Sequence, residues 1–272
     1  MKGNALFDGQ ILSDVELAAQ AARAAGKIGL QYFGQKPDVW IKGKDSPVSE
    51  ADIAIDTYLK ETLLRARPHY GWLSEETEDN DARLSKERIF IVDPIDGTRG
   101  FIQGTENWMV SIAVVEKGKP TVGVLYGPVM DRLYMASAGG GATCNGIAIS
   151  ASSSSALSDG EFSIPARIAD TIQENLEAQF TRARHIHSLA YRIALVADGS
   201  LAGTIARPHA RDWDVAAADL IVREAGGVFT GLNGNQPRYN CKSTKHDWLL
   251  ASGQAVKTPL KNALIEAIEK TA

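Results

Sequence analysis

Two aspartates three residues apart stand in Asp93-Pro94-Ile95-Asp96-Gly97-Thr98, immediately after four apolar residues, Ile89 to Val92. The apolar run predicts a short buried strand. Pro94 lacks a ladder donor and fixes its own φ, so the strand is expected to stop at Asp93. That leaves two carboxylates on a tight turn at a strand end. Gly97 can turn sharply or let a ligand approach, and the Thr98 hydroxyl lies beside the acids. Such a density of negative charge is costly unless something positive sits against it. In isolation, Asp-x-x-Asp reads as a turn capped by its own side chain. The same carboxylates and carbonyls are also ligands for a hard divalent cation, and that chemistry needs further carboxylates from elsewhere in the chain.

Three more stretches supply them. Glu75 and Glu76 close Tyr70-Gly71-Trp72-Leu73-Ser74-Glu75-Glu76, Asp214 opens a helical pattern from Trp213 to Gly226-Gly227, and Asp52 ends Ser46-Pro47-Val48-Ser49-Glu50-Ala51-Asp52. Each has a plain structural use as well. Asp52 stands three residues after Ser49, where a capping-box acid belongs. An acid in the first turn of a helix, as Asp214, is stabilised by the helix dipole without any metal. Glu76 reads as solvated, or as a support for its neighbour. Other catalytic machinery is not visible: His69, His185, His187, His209 and His246 have no metal-ligand spacing, His185 and His187 read as an exposed pair, and no Gly-x-Ser-x-Gly elbow occurs.

Taken together, Asp93-Pro94-Ile95-Asp96-Gly97-Thr98-x-x-Phe101, the preceding Glu75-Glu76 and the later Trp213-Asp214-x-Ala216-Ala217-Ala218 with Glu224-Ala225-Gly226-Gly227 resemble the inositol monophosphatase superfamily in residue type, order and spacing, over roughly residues 10 to 265. The resemblance implies an α/β (α+β) layered sandwich, α-β-α-β-α, of the inositol monophosphatase and fructose-1,6-bisphosphatase kind. It implies a lithium-sensitive phosphomonoesterase using two to three Mg2+ ions per site, acting on a small phosphorylated metabolite. A phosphate monoester resists attack because hydroxide and ester are both anions; clustered cations lower the pKa of a bound water and stabilise the leaving alkoxide. On the family pattern Glu75, Asp93 and the carbonyl of Ile95 hold one ion, and Asp93, Asp96 and Asp214 a second. Thr98, polarised by Asp52, and Glu75 orient the water. Asp96, Gly97, Thr98 and Asp214 face the substrate, with the amides of Gly97 and Thr98 toward the phosphate. A homodimer is common among such proteins.

The chain departs from the inositol phosphatases at the expected substrate wall. Thr98-Arg99-Gly100-Phe101 replaces the usual Thr-Asn-Phe type of sequence, and Arg207 stands seven residues before Asp214, where that branch carries a glutamate for inositol hydroxyls. Guanidinium forks suit phosphate or carboxylate. An Arg207 in the pocket therefore favours a substrate with a second anionic group, such as 3′-phosphoadenosine 5′-phosphate or fructose 1,6-bisphosphate, or less directly histidinol phosphate. Otherwise Arg207 and Arg211 face solvent or pair with Asp212. The run from Gly118 to Asp131 is similar to the bacterial bisphosphate-nucleotidase branch. Inositol-phosphate hydrolysis, a non-catalytic metal-binding regulator and a calcium-stabilised structural domain remain alternatives. Thr98 and Asp52 weigh against the last two, because an ion site alone has no need of them.

The elements that must position these residues follow from capping and periodicity. Ser13 and Asp14 open a helix to about Phe33 with Val15, Ala18, Ala22, Ala25 and Ile28 on one stripe, and Ser49 opens another with Ile55, Leu59 and Leu63 in line. Residues 34–48 read as an exposed arm with a strand at Val39-Trp40-Ile41, and 77–88 as a charged solvated loop. Met109–Val115 and Thr121–Tyr126 form a hairpin, Arg132–Ala136 continues the sheet, and the glycines from 139 to 146 read as a turn, with a phosphate cradle as the alternative. The serine run from 151 to 156 is taken as the boundary between an N-terminal half, 1–150, with most ligands, and a C-terminal half, 151–272, supplying Asp214 and pocket residues. There the pattern predicts helices near 168–180 and from Ser188 to Asp198, strands at 201–206, 227–230 and 248–252, and a last helix capped by Thr258 with Pro259 in its first turn.

With 272 residues, 44% of them apolar, the chain can bury a large core, and a net charge of −4 argues against a non-specific nucleic-acid binder. Cys144 and Cys241 make neither a disulfide framework nor a metal spacing. The first eight residues lack the apolar core of a signal peptide, and no apolar run approaches membrane-spanning length, so a cytoplasmic protein is expected.

Overall fold

The computed structural model describes residues 6–7, 10–35, 38–42, 46–175 and 179–271. Most of the first eight residues, and positions 36–37 and 43–45 of the expected arm, lie outside them. In chain order the elements are β1 (Leu6–Phe7), β2 (Gln10–Ile11), α1 (Asp14–Tyr32), β3 (Val39–Lys42), β4 (Ser46–Ser49), α2 (Glu50–Ala66), β5 (Gly71–Ser74), β6 (Arg88–Asp96), α3 (Thr98–Ile102), β7 (Met109–Glu116), β8 (Lys119–Gly127), β9 (Arg132–Ser137), β10 (Ala142–Cys144) and β11 (Ile147–Ala148). They continue as β12 (Glu161–Ser163), α4 (Ala166–Asn175), β13 (Thr181–Arg182), α5 (Leu189–Ala197), β14 (Gly203–Ala206), α6 (Asp212–Glu224), β15 (Val228–Gly231), β16 (Leu249–Ser252) and α7 (Lys257–Thr271).

Two sheets carry the layers. The larger runs in the order β11-β10-β9-β8-β7-β6-β5, antiparallel except for the parallel β5–β6 pair, and the smaller runs β13-β12-β14-β16-β15. Helices α1 and α2 cover one face of the large sheet, burying Leu17, Ile55, Leu59 and Leu63 against Phe90, Val92, Val110 and Ile112. Its other face, with Ile89, Ile91, Ala113 and Leu125, meets α5 and α6, which in turn reach Phe229 and Ala251 of the small sheet. Beyond that sheet, α4 and α7 close the stack with Ile168, Ile172, Leu260 and Leu264 on Phe162 and Ile205. The order is helix, sheet, helix, sheet, helix.

Small residues set the spacing of the central layer. A Cβ on Gly123 of β8 would come 2.4 Å from the carbonyl oxygen of Ala217, so α6 can lie this close only over a glycine, with Ala216 to Ala218 facing inward. That close approach carries Asp214 to the ends of β5 and β6.

Several local expectations change. β6 does not stop at Asp93 but runs on to Asp96: its register against β7 breaks between Asp93↔Ser111 and Asp96↔Met109, and this irregularity accommodates Pro94, which has no donor to offer. The loop 77–88 is not simply solvated. It contains a 3-10 turn, Asp81–Ser85, whose Arg83 is 3% exposed and bridges Asp79, the Asn240 side chain and the Cys241 carbonyl. The amides of Gly139 and Gly141 donate to the Glu224 carboxylate, so that glycine turn is already occupied. Helix α4 ends at Asn175, short of the expected 180, with 176–178 outside the described residues. Helix α7 begins at Lys257, which puts Thr258 inside its first turn rather than at the cap; the Val256 carbonyl accepts from Leu260 N.

Candidate active site

The acids meet where β5 and β6 come to their ends and α6 begins. β5 and β6 pair in parallel with Ser74 opposite Val92, and Glu75 N donates to the Val92 carbonyl at 3.2 Å, so Glu75 emerges beside Asp93. Asp214 arrives from the opposite side on the first turn of α6, its Oδ2 accepting from Arg211 N at 2.7 Å. One carboxylate oxygen each from Glu75, Asp93 and Asp214 lies within 4.8 Å of the others. Ile95 N donates to Asp93 Oδ1 at 3.0 Å, which fixes the carboxylate and folds the turn.

Asp52 serves both readings of its position. Its Oδ2 accepts from Ser49 N at 2.8 Å and Ser49 Oγ at 2.6 Å, closing the capping box of α2, while Oδ1 lies 3.3 Å from Thr98 Oγ1. Thr98 Oγ1 is also 3.0 Å from the Ile95 carbonyl. A hydroxyl has one proton, so it serves one of these acceptors at a time. Gly97, ahead of it, has φ 97°, a left-handed conformation, and a Cβ there would meet Asn107 O and Ser188 N at 3.1 Å.

Asp96 stands apart from the three-acid cluster. It reaches across to the start of α5, where it accepts from the Ser188 hydroxyl and from Ala190 N at 2.7 Å, with Leu189 N more distant at 3.4 Å. A carboxylate at a helix N-terminus is well placed electrostatically. Asp96 still lines the small cavity of about 220 Å³ that holds Glu75, Asp93, Thr98 and Asp214.

Burial, first, and then repulsion among neighbours push the Glu75 and Asp93 carboxyls well above the usual carboxylate range. Burial and the nearby Asp96 raise Asp214 to about 7, and burial also raises Asp52 and Asp96 against the hydrogen bonds that favour their charge. Crowded acids this far from water call for a cation, and oxygen donors alone, carboxylates with the Ile95 carbonyl at hand, suit Mg2+ or another hard divalent ion. The residues present therefore fit the metal site that the resemblance implies.

Other side chains at the site carried no signal in the sequence. Lys42, from the β3–β4 hairpin, donates to the Glu75 carbonyl and lies 3.3 Å from Glu76 Oε2. Glu76 is thereby buried and paired rather than solvated. Asp56 of α2 accepts from Ser74 Oγ and, at 2.7 Å, from Thr77 Oγ1, bracing the end of β5. Beside the acids opens a second cavity of about 1190 Å³, sharing Arg99, His187, Leu189 and Asp214 with the first and lined also by Arg192 and Arg207. Arg207 is exposed on its wall. Arg211 is not on that wall: it lies over the Trp213 ring at 5.5 Å and donates to Thr244 Oγ1, while Asp212 is taken by His246 at 2.8 Å. His185 and His187 meet edge to face 4.5 Å apart as the pair expected, His185 exposed and His187 half-buried, and both line the large cavity.

The sequence model of the inositol monophosphatase family matches residues 12–271. The chain belongs to the inositol monophosphatase family. Among family members, the inositol-1-monophosphatase of Mesorhizobium japonicum is 32% identical over 273 residues, covering 94% of this chain and 96% of the relative. A histidinol-phosphatase of Mycobacterium tuberculosis is 34% identical over 241 residues, 81% of this chain and 88% of the relative. Of solved structures, the IMPase of Thermotoga maritima superposes with a TM-score of 0.85 at 25% identity, covering 96% of this chain and all of that one. The extragenic suppressor protein suhB of Bartonella henselae does so at 0.81 and 31% identity, covering 92% of this chain and 97% of its own. The layered fold and membership of a phosphatase family are thus shown for this chain, and no helix among the described residues is long and apolar enough to cross a membrane.

Proposed function

We propose that this protein is a Mg2+-dependent phosphomonoesterase that hydrolyses a small phosphate ester with a metal-activated water. The observation that carries the reading is the convergence of Glu75, Asp93 and Asp214, from three separate elements, to within 4.8 Å beside an arginine-rich cavity. Glu75, Asp93, the Ile95 carbonyl and Asp214 would hold the ions, and Asp96, which lines the same cavity, would join them. Bound there, Mg2+ supplies hydroxide near neutral pH and stabilises the leaving oxygen.

The protein's own groups then orient the reactants. With its proton on Asp52, the Thr98 oxygen presents lone pairs to the cavity and can accept a hydrogen bond from the attacking water, which aligns that water against the phosphorus. Glu75, one of the groups that would hold the ions, would also help to orient that water. The αL turn at Gly97 brings the backbone of Gly97 and Thr98 to the cavity rim, where the phosphate oxygens would lie. Candidate substrates are inositol phosphate and 3′-phosphoadenosine 5′-phosphate. Fructose 1,6-bisphosphate and histidinol phosphate are the alternatives, and the ammonium of histidinol fits poorly against an arginine wall.

Phosphate release with Mg2+ from these four esters, with Asp93→Asn beside the parent, tests the reading. Release from at least one ester, lost in the folded variant, is expected. No release from any ester by folded protein in Mg2+ would overturn it in favour of a non-catalytic role.

A further inference from the structure

Arg192 is the residue whose chemistry the reaction above leaves unused. It lies one turn after Ser188 on α5, so the helix face that holds Asp96 through Ser188 also presents the Arg192 guanidinium. Its Nε is sealed from solvent and has no hydrogen-bond partner. Burial lowers its pKa, while Asp96 and Asp214 favour its charge and Arg207 opposes it. Neither carboxylate forms a hydrogen bond with it among the described contacts: Asp96 is spent on Ser188, Leu189 and Ala190, and Asp214 on Arg211 N. A guanidinium Nε sealed from solvent with an empty donor is costly, and such groups are retained where a ligand completes them.

The surroundings say which ligand. Arg192 and Arg207 both line the cavity of about 1190 Å³, whose described lining carries four further arginines, Arg99, Arg167, Arg182 and Arg184, and one carboxylate side chain, Asp214. Arg182 is committed to Gln173 and Asp170, and Arg167 to the Thr271 carbonyl. Arg192 is half-buried and its charge is favoured by the site acids Asp96 and Asp214, while Arg207 is exposed and opposes that charge. Two guanidinium groups that repel each other in the free protein are brought to rest by an anion between them.

We propose that Arg192, together with Arg207, forms a distal anion subsite that selects substrates carrying a second phosphate or carboxylate besides the scissile phosphate. The proposal rests on the phosphomonoesterase reading and narrows its substrate class. Arg192 acts as a specificity-determining residue: it holds the part of the molecule that does not react, and the cavity leaves room for the scaffold that joins the two anions.

The test compares two probes that differ only in the second anion, adenosine 3′,5′-bisphosphate and adenosine 3′-phosphate. Affinity is measured by calorimetry on EDTA-treated protein, where no turnover occurs, and kcat/KM is measured with Mg2+. Parent protein should bind the bisphosphate more tightly by about 10- to 100-fold, the range of a charge-assisted hydrogen-bonded pair. Arg192→Met should bring that ratio close to one, and Arg192→Lys should restore part of it. Arg207→Glu, at an exposed position that folding tolerates, should also reduce it, and it decides the matter if Arg192→Met does not fold. An unchanged ratio in the folded variants, or equal losses for both probes, overturns the subsite. Absence of turnover in every protein, with the binding ratio still sensitive to Arg192, would instead sink the phosphatase reading and leave the subsite standing.

Discussion

Removing metal should make the stability of this protein fall with rising pH, and Asp214 should carry a measurable part of the effect. Its folded carboxyl is raised from 3.8 to about 7, chiefly by burial and then by Asp96. Because the folded-state pKa lies above the unfolded one, the stability contributed by this group is complete below 3.8 and is lost as pH rises through about 7. At about 1.4 kcal/mol per pH unit the whole span amounts to about 4 kcal/mol, of which roughly 2.5 kcal/mol falls between pH 5 and pH 8. Asp214 faces the cavity, and water there screens it, so roughly 1 to 2.5 kcal/mol is the expected reading. Urea unfolding of EDTA-treated protein at the two pH values, for the parent and for Asp214→Asn, isolates the term. Asparagine keeps the acceptor for Arg211 N and removes the charge, so the variant should lose less stability toward pH 8. Mg2+ should then stabilise the parent more at pH 8 than at pH 5, since its ligands bind as carboxylates. A pH profile unchanged by Asp214→Asn, or metal-free parent protein that gains stability toward pH 8 by the same amount as the variant, would refute the reasoning.

Two further outcomes follow from the same geometry. Thr98→Val should cut kcat by about 100-fold with little change in KM or melting temperature, and Thr98→Ser should recover most of it, because the hydroxyl between Asp52 and the water is what matters; steady-state kinetics beside thermal melts would show this. Gly97→Ala should destabilise the protein by about 1 to 2 kcal/mol, from the left-handed φ and the 3.1 Å contacts with Asn107 and Ser188, and should lower activity by shifting the rim, as unfolding curves and phosphate release would report.

Much of this protein is legible locally. The capping residues Ser13, Ser49 and Ser188 mark true helix starts, the hairpin of β7 and β8 follows from two apolar runs joined by the Lys117-Gly118 turn, and Glu75, Asp93 and Asp214 can be picked out by their contexts. These signals survive because capping, short apolar runs and tight turns depend on a few neighbouring residues. The errors share a cause. Pro94 ends a strand by local rules, yet the neighbouring β7 absorbs it in an irregular register. A charged loop reads as solvated, yet Arg83 is drawn inside by Asn240 and Cys241, which are distant in sequence.

Residue types and spacing pointed to hard oxygen ligands, and the family resemblance they carry added the expectation of a threonine polarised by Asp52 and of a basic substrate wall near Arg207. Tertiary structure alone decided how the acids are shared out. Parallel pairing of β5 with β6 sets Glu75 beside Asp93, the glycine-deep seat of α6 brings Asp214 to them, and the start of α5 draws Asp96 aside. It also placed Lys42, Asp56 and Arg192, none of which has a motif around it. Lys42 and Asp56 matter through the groups at the end of β5 that they hold, and Arg192 through the charges around the cavity; both depend on neighbours in space, which no window of sequence contains.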